Sequence, residues 1–277
     1  MNQAMTLRPI LVNAIKQSAV SPVYVAASGG VDGSSLVVSA LDAGLETVVV
    51  SFTLDDRESM DFCAARQLAV HFGVPFIPVY LPTDADFIIK SVVDNIRRFG
   101  LKGKAAIECM YPYMYMIDAI ASEQKATLVM GHGADSHFCL SKKGMIHYRH
   151  SLDTLRLFRK NYFSGGGGFD QRAVLYKATE ENNLVYIDPY WHQEVIDLFG
   201  ESTWDELNKP RQKEPIRKAF PELDPLRLKQ HTNLQLGDSG IAETVGEVMR
   251  LHFTPNARSA VSAYNKVRLL IERNEVI

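Results

Sequence analysis

The stretch VYVAASGGVDGSSLVVSAL, residues 23–41, decides how the rest of the chain is read. An apolar run stops at Ser28-Gly29-Gly30, Asp32 follows two residues later, and an apolar helical pattern begins at Ser34. A strand that ends in a glycine pair and turns at once into a helix builds a site for an anion. Glycine lets backbone N–H groups approach a ligand closely. The helix N-terminus adds donors and partial positive charge, and Ser28, Ser34 and Ser35 add hydroxyls. Phosphate fits such a cradle. Asp32 would repel it directly, so that carboxylate is expected to hold a Mg²⁺ ion bridging phosphate oxygens. The alternative is a plain tight turn with an aspartate or serine capping the helix. Two common nucleotide motifs do not apply: G-x-x-x-x-G-K-[ST] lacks its lysine, and Ser28 stands where G-x-G-x-x-G needs a glycine.

Outward from this stretch, short apolar runs at 23–28, 47–53, 76–81 and 127–132 alternate with helically spaced segments at 34–43, 58–72, 85–99 and 111–124. That alternation predicts an α/β fold, a parallel twisted sheet with helices on both faces. Ligands of such sheets bind outside the carboxyl ends of the strands. The loops that matter are therefore expected to start at Ser28, Phe52, Leu81 and Gly131. The second half reads as helical, at 153–162, 172–182, 193–198, 213–220, 241–251 and 259–273, with a glycine-rich loop at 164–168. Residues 1–150 are read as the nucleotide-binding core. Residues 151–277 are read as a helical C-terminal extension that completes the site, and 221–240 as an irregular surface crossing.

Composition narrows the function classes. The chain of 277 residues is 46% hydrophobic, enough for a sizeable core, and its formal net charge of −2 gives no electrostatic case for nucleic acid. Cys63, Cys109 and Cys139 show neither disulfide nor zinc spacing. The first twenty residues read as an amphipathic helix rather than a signal peptide. No apolar run approaches the roughly 20 residues a membrane span needs. A cytoplasmic protein is expected, with its oligomeric state left open.

SGGVDGSS, residues 28–35, resembles the pyrophosphate-loop signature SGGxDS of the ATP pyrophosphatases, with Gly33 in place of the usual serine and Ser34 beside it as a substitute. MGHGADSHF (130–138) resembles the SGxGADExF loop of asparagine synthetases and β-lactam synthetases. DPYWHQEVIDL (188–198) is similar to their xPFLDxxxVxxA segment, and NKPRQKEPIRKAF (208–220) to their KxxLRxAF segment. The resemblance implies a PP-loop core of the adenine nucleotide alpha hydrolase kind, with ATP and Mg²⁺ as cofactors. It implies an amide-forming ligase that adenylates a carboxylate, releases pyrophosphate and passes the acyl group to ammonia or an amine.

Carried over residue by residue, the resemblance assigns Asp32 and Asp135 to the metal. Ser28, Gly29, Gly30, Gly33, Ser34 and Gly131 fall to the nucleotide, and Phe52 and Thr53 to the strand end where backbone groups read adenine. Lys213 stabilises developing charge; the bland alternative is one member of a solvated basic face with Lys209, Arg211, Arg217 and Lys218. His132 stands where the asparagine synthetases carry Glu and the β-lactam synthetases Tyr, the general-base position. Its ordinary pKa suits a base; the alternative is a hydrogen-bonding wall of the substrate pocket. For Asp135 the alternative is a helix cap. Ser136 replaces the glutamate of GADE. NLVY (183–186) replaces the acidic–basic pair of the family, which argues against aspartate as substrate. Asn2 stands where glutamine-dependent members carry a cysteine, so nitrogen is expected from free ammonia, a separate glutaminase or a substrate amine. A nucleobase- or tRNA-modifying ATP pyrophosphatase, or a homologue with impaired catalysis, is the competing expectation. Sulfur-transfer members of that class usually need paired cysteines, which are not here.

Overall fold

The computed structural model describes residues 3–164, 170–226, 228 and 238–275. The strands are β1 (Val23–Ala26), β2 (Thr47–Leu54), β3 (Phe76–Leu81), β4 (Ala126–Val129) and β5 (Leu184–Ile187). They form one sheet in the order β3-β2-β1-β4-β5, and every neighbouring pair is parallel. Most of β2 and all of β4 are buried. Strands covered on both faces read as continuous apolar runs rather than alternating ones, and VVV at 48–50 and TLV at 127–129 do so.

The helices are α1 (Gln3–Ser18), α2 (Val31–Asp42), α3 (Met60–Phe72), α4 (Ala85–Phe99), α5 (Lys104–Ile120), α6 (Ala134–Phe138) and α7 (Lys142–His147). They continue as α8 (Leu152–Phe163), α9 (Asp170–Glu181), α10 (Gln193–Gly200), α11 (Trp204–Asn208), α12 (Glu214–Ala219), α13 (Ile241–Phe253) and α14 (Ala260–Glu272). On one face of the sheet Leu11 of α1, Leu36 of α2, Leu68 of α3, Phe199 of α10 and Ile216 of α12 close over Val25 and Val49. On the other, Val92 of α4, Met110 of α5, Val245 of α13 and Tyr264 of α14 close over Val50 and Leu128. None of the described helices is long and apolar enough to cross a membrane.

The expected α/β architecture is present, with differences that bear on the site. The helix expected from Ser34 starts at Val31, so Asp32 lies in its first turn and Gly30 is its cap. The helix expected over 111–124 is α5; Pro112, which reads like a start signal, sits in its interior. Lys213 does not begin a helix but caps α12 in the left-handed conformation, φ 59°. The largest difference is β5. Residues 151–277 were expected to be helical, yet 184–187 extend the sheet beside β4. Of the glycine-rich loop only Ser164 is described, and much of 221–240 lies outside the described residues.

Candidate active site

Strand order fixes where the site lies. From β1 the chain moves outward through β2 and β3, then returns to the other side of β1 for β4 and β5. The reversal leaves a crevice beyond the carboxyl ends of β1 and β4, where open parallel sheets bind ligands. The loops after these two strands carry Ser28–Gly30 and Gly131–Gly133. They meet closely: a Cβ built on Gly131 would lie 3.3 Å from Cβ of Asp32. The cavity is lined by Ser28, Gly30, Asp32, Gly33, Phe52, Gly131, His132, Asp135 and Lys213.

At its floor Lys213 joins the two loops. Its Nζ donates to Asp32 Oδ2 and, at 2.5 Å, to Asp135 Oδ1. The lysine side chain is only 4% exposed, so it is not part of a solvated basic face. Burial pulls its pKa down, but Asp135 and Asp32 overcome that pull and the net shift is upward. The ammonium therefore stays charged. Lys209 and Arg211 are the surface cations, paired with Asp205 and with Glu214 and Asp224.

The donor set fits a hard cation. Two carboxylates from neighbouring loops already share one positive charge, and phosphate oxygens would complete an oxygen shell. Among the described residues no group of three or more His, Cys, Asp or Glu gathers as a metal site of its own. Mg²⁺ would thus be held by Asp32 and Asp135 together with the substrate. Asp135 lies in the first turn of α6, whose cap is Gly133 rather than the aspartate.

The remaining expected residues divide into two sets. Gly30, Gly33 and Gly131 line the cavity, as do Ser28 and Phe52. Gly29 supports them from behind: its φ is 67°, and a Cβ there would meet Cβ of Ala64 at 2.3 Å, so α3 is packed directly on the loop. Ser34 and Thr53 point elsewhere. Ser34 is fully buried and its Oγ donates to Gly30 O at 2.9 Å, as helical serines do. It does not line the cavity, where a substitute for the missing loop serine would stand. Thr53 Oγ1 donates to Arg57 O at 2.6 Å and accepts from Ser59 N at 3.0 Å, bracing the loop after β2.

His132 reaches the cavity with both ring nitrogens engaged, Nδ1 by Tyr186 Oη and Nε2 by Tyr113 Oη at 3.1 Å. Burial lowers its pKa to about 3, against the upward pull of Asp135 and with a further downward push from Arg172. This geometry favours the pocket-wall alternative over the general base, and no acid limb near neutral pH would arise from this ring. Sequence reasoning missed Tyr113, Asp61, Gln212 and Ser239, and left Arg217 on the surface; all five line the cavity. Asp61 and Tyr113 fall inside apolar helical patterns, where a site residue has no local signature. Ser239 sits in the least periodic stretch of the chain.

The asparagine synthase family model matches residues 6–234, most of the chain, and includes both acidic loops and Lys213. The chain belongs to the asparagine synthase family. It is also 23% identical over 282 residues to the tRNA-specific 2-thiouridylase MnmA of Carboxydothermus hydrogenoformans, covering 92% of this chain and 73% of that protein. The structure of NMN synthetase from Francisella tularensis aligns with 90% of this chain and 94% of that one, at 12% identity and a TM-score of 0.34. As an asparagine synthase family member the chain is an ATP-using enzyme of the PP-loop type. Its Gly33 has a local cause. A Cβ there would lie 3.1 Å from Ala27 Cα and 3.2 Å from Ala26 O, so the family's serine would need the end of β1 to give by a few tenths of an ångström.

Proposed function

We propose that this asparagine synthase family member is an AMP-forming carbon–nitrogen ligase. One observation carries the proposal: Lys213 and the acids of two different loops converge at the switch point, beside the glycine turn. A substrate carboxylate oxygen attacks the α-phosphorus of ATP, and the bond from that phosphorus to the bridging oxygen breaks. Pyrophosphate leaves and an acyl-adenylate remains. Ammonia or an amine then attacks the acyl carbon, loses a proton, and AMP departs. The protein's share is mainly electrostatic. The buried Lys213 ammonium faces oxygens that gain negative charge in both steps. Gly30, at the start of α2, lets backbone N–H groups approach phosphate. Bound Mg²⁺ would neutralise phosphate charge at Asp32 and Asp135.

The likeness to a tRNA-specific thiouridylase favours a second reading, activation of a nucleobase carbonyl. Two of the chain's three thiols, both buried, weigh against thiolation by this protein, and only Cys63 is partly exposed. Burial pushes Cys109 up to about 12 and Cys139 up to about 11, and a nucleophilic cysteine needs the opposite shift. The test is incubation with Mg²⁺-ATP and a panel of carboxylates plus ammonium, read by mass spectrometry. AMP, pyrophosphate and an amide are expected, with Asp32→Ala abolishing all three. ADP as the main nucleotide product would overturn the assignment.

A further inference from the structure

The two tyrosines that grip His132 come from distant parts of the chain, Tyr113 on α5 and Tyr186 on β5. Neutral imidazole has one N–H and one lone pair, so hydroxyl, ring and hydroxyl form a chain with one of two senses. In the first, Tyr186 donates to Nδ1 and the Nε2 proton is donated to Tyr113. In the second, Tyr113 donates to Nε2 and the Nδ1 proton is donated to Tyr186.

The surroundings of the two hydroxyls separate these senses. Tyr186 is buried against the ring of Tyr176, centroids 4.8 Å apart, and the Tyr176 hydroxyl is itself turned toward Asp188 at 3.3 Å. The hydrogen bond of Tyr186 is the one to His132. In the second sense the Tyr186 proton would be buried without an acceptor among the described residues, the costly way to bury a hydroxyl. Tyr113 is just as buried, but unlike Tyr186 it lines the cavity, where a ligand oxygen can take its proton. The first sense therefore holds, and it leaves the Tyr113 O–H aimed at the ligand.

Which part of the ligand it meets follows from the loop. His132 precedes Asp135 by three residues, so Tyr113 stands on the side of the acidic loop, where in the adenylation reading the acyl group joins the α-phosphate. Phe52, near the carboxyl end of the neighbouring strand β2, lines the same cavity. Burial, with smaller pushes from Cys109, Tyr162 and Asp135, holds the Tyr113 hydroxyl well above its ordinary pKa, so it remains a donor.

We infer that Tyr113 donates its hydroxyl proton to an acyl oxygen of the substrate, and that Tyr186 and His132 are positioning residues that set its direction. Tyr113 is then a specificity-determining residue for the carboxyl end of the substrate. The inference rests on the adenylation reading, and its test keeps the two apart.

The probes are AMP and 5′-O-(N-acetylsulfamoyl)adenosine, a stable mimic of an acyl-adenylate, with binding followed by calorimetry. Tyr113→Phe is expected to weaken the mimic about five- to tenfold, the weight of one hydrogen bond, and to leave AMP unchanged. Tyr186→Phe should act in the same direction by a smaller factor. Equal affinity of wild type and Tyr113→Phe for the mimic overturns the inference, as does a wild type that binds the mimic no better than AMP. Long-range ¹H–¹⁵N spectra of the unliganded wild type supply a measurement free of variants, with the His132 signal assigned by its loss in His132→Gln. A proton on Nε2 is expected; a proton on Nδ1 reverses the chain and overturns the inference. If wild type binds neither nucleotide, the adenylation reading fails while the imidazole spectrum still judges the tyrosine–histidine chain.

Discussion

Lys213 is the residue on which most of the site depends, because one buried ammonium neutralises the carboxylates of two loops. Replacing it with alanine leaves Asp32 and Asp135 facing each other and, in the proposed reaction, removes the positive charge from both half-reactions. Lys213→Ala is expected to slow adenylation and amide formation alike by about 10²–10³, the usual weight of a preorganised electrostatic group. Positional isotope exchange in ATP and single-turnover amide formation measure the two steps separately; a loss in only one would refute the shared role. The acids, the glycines and this lysine were legible in the sequence because each belongs to a motif with fixed spacing. The directions of the Ser34 and Thr53 hydroxyls were not. Each bonds to a nearby backbone carbonyl, Gly30 O and Arg57 O, a preference decided only once the helix start and the loop path are set. The partners of His132 were still less legible, since they lie 19 and 54 residues away along the chain.

Among the elements, β5 and the α13–α14 pair show what periodicity can and cannot reveal. α13 and α14 were anticipated almost to their ends, because long amphipathic patterns repeat several times. β5 has four residues, LVYI, too few to establish a period, and it follows directly on α9. Its strand character comes from the open edge of β4, which is a tertiary fact. The α13–α14 pair is tied to α5 by a buried polar contact: Tyr264 Oη donates to Glu108 Oε1 at 3.0 Å, and Lys104 Nζ donates to both Glu108 oxygens at 2.5 and 2.7 Å. Tyr264→Phe removes one donor from a fully buried carboxylate. It is expected to lower stability by about 1.5–3 kcal/mol, seen as a lower urea midpoint with an unchanged slope. AMP binding should not change. An unaltered midpoint would mean that packing alone holds these helices.

The whole molecule should be sensitive to mild acid. His132 and His137 are both buried, and burial lowers each pKa to about 3 from 6.5. Asp135 opposes that shift at His132, as the Tyr190 carbonyl does at His137, whereas Arg172 and Arg159 reinforce it. As pH falls below the ordinary histidine value the unfolded chain takes up two protons that the folded chain refuses. Stability is therefore present above pH 6.5 and drains away toward pH 3. The two rings together give a slope of about 2.7 kcal/mol per pH unit well below pH 6.5. Urea titrations at pH 7 and 5.5 should differ by about 2–3 kcal/mol from this source, and His137→Gln should remove about half of the difference. Equal stability at the two pH values would show that these rings protonate in place.

The bond between Lys213 and Asp32 spans 181 residues of sequence. On a ribosome, which adds amino acids from the N-terminus, the glycine turn and both acidic loops emerge long before their counter-charge does. A nascent chain that has just released β4 holds the acids of both loops without the lysine that later joins them, and β4 still lacks its outer neighbour. β5 must arrive to cover that edge, and Lys213 must arrive after it. Translation order thus keeps the ATP site incomplete until Lys213 has been added, so a chain terminated before it would lack the machinery to consume nucleotide.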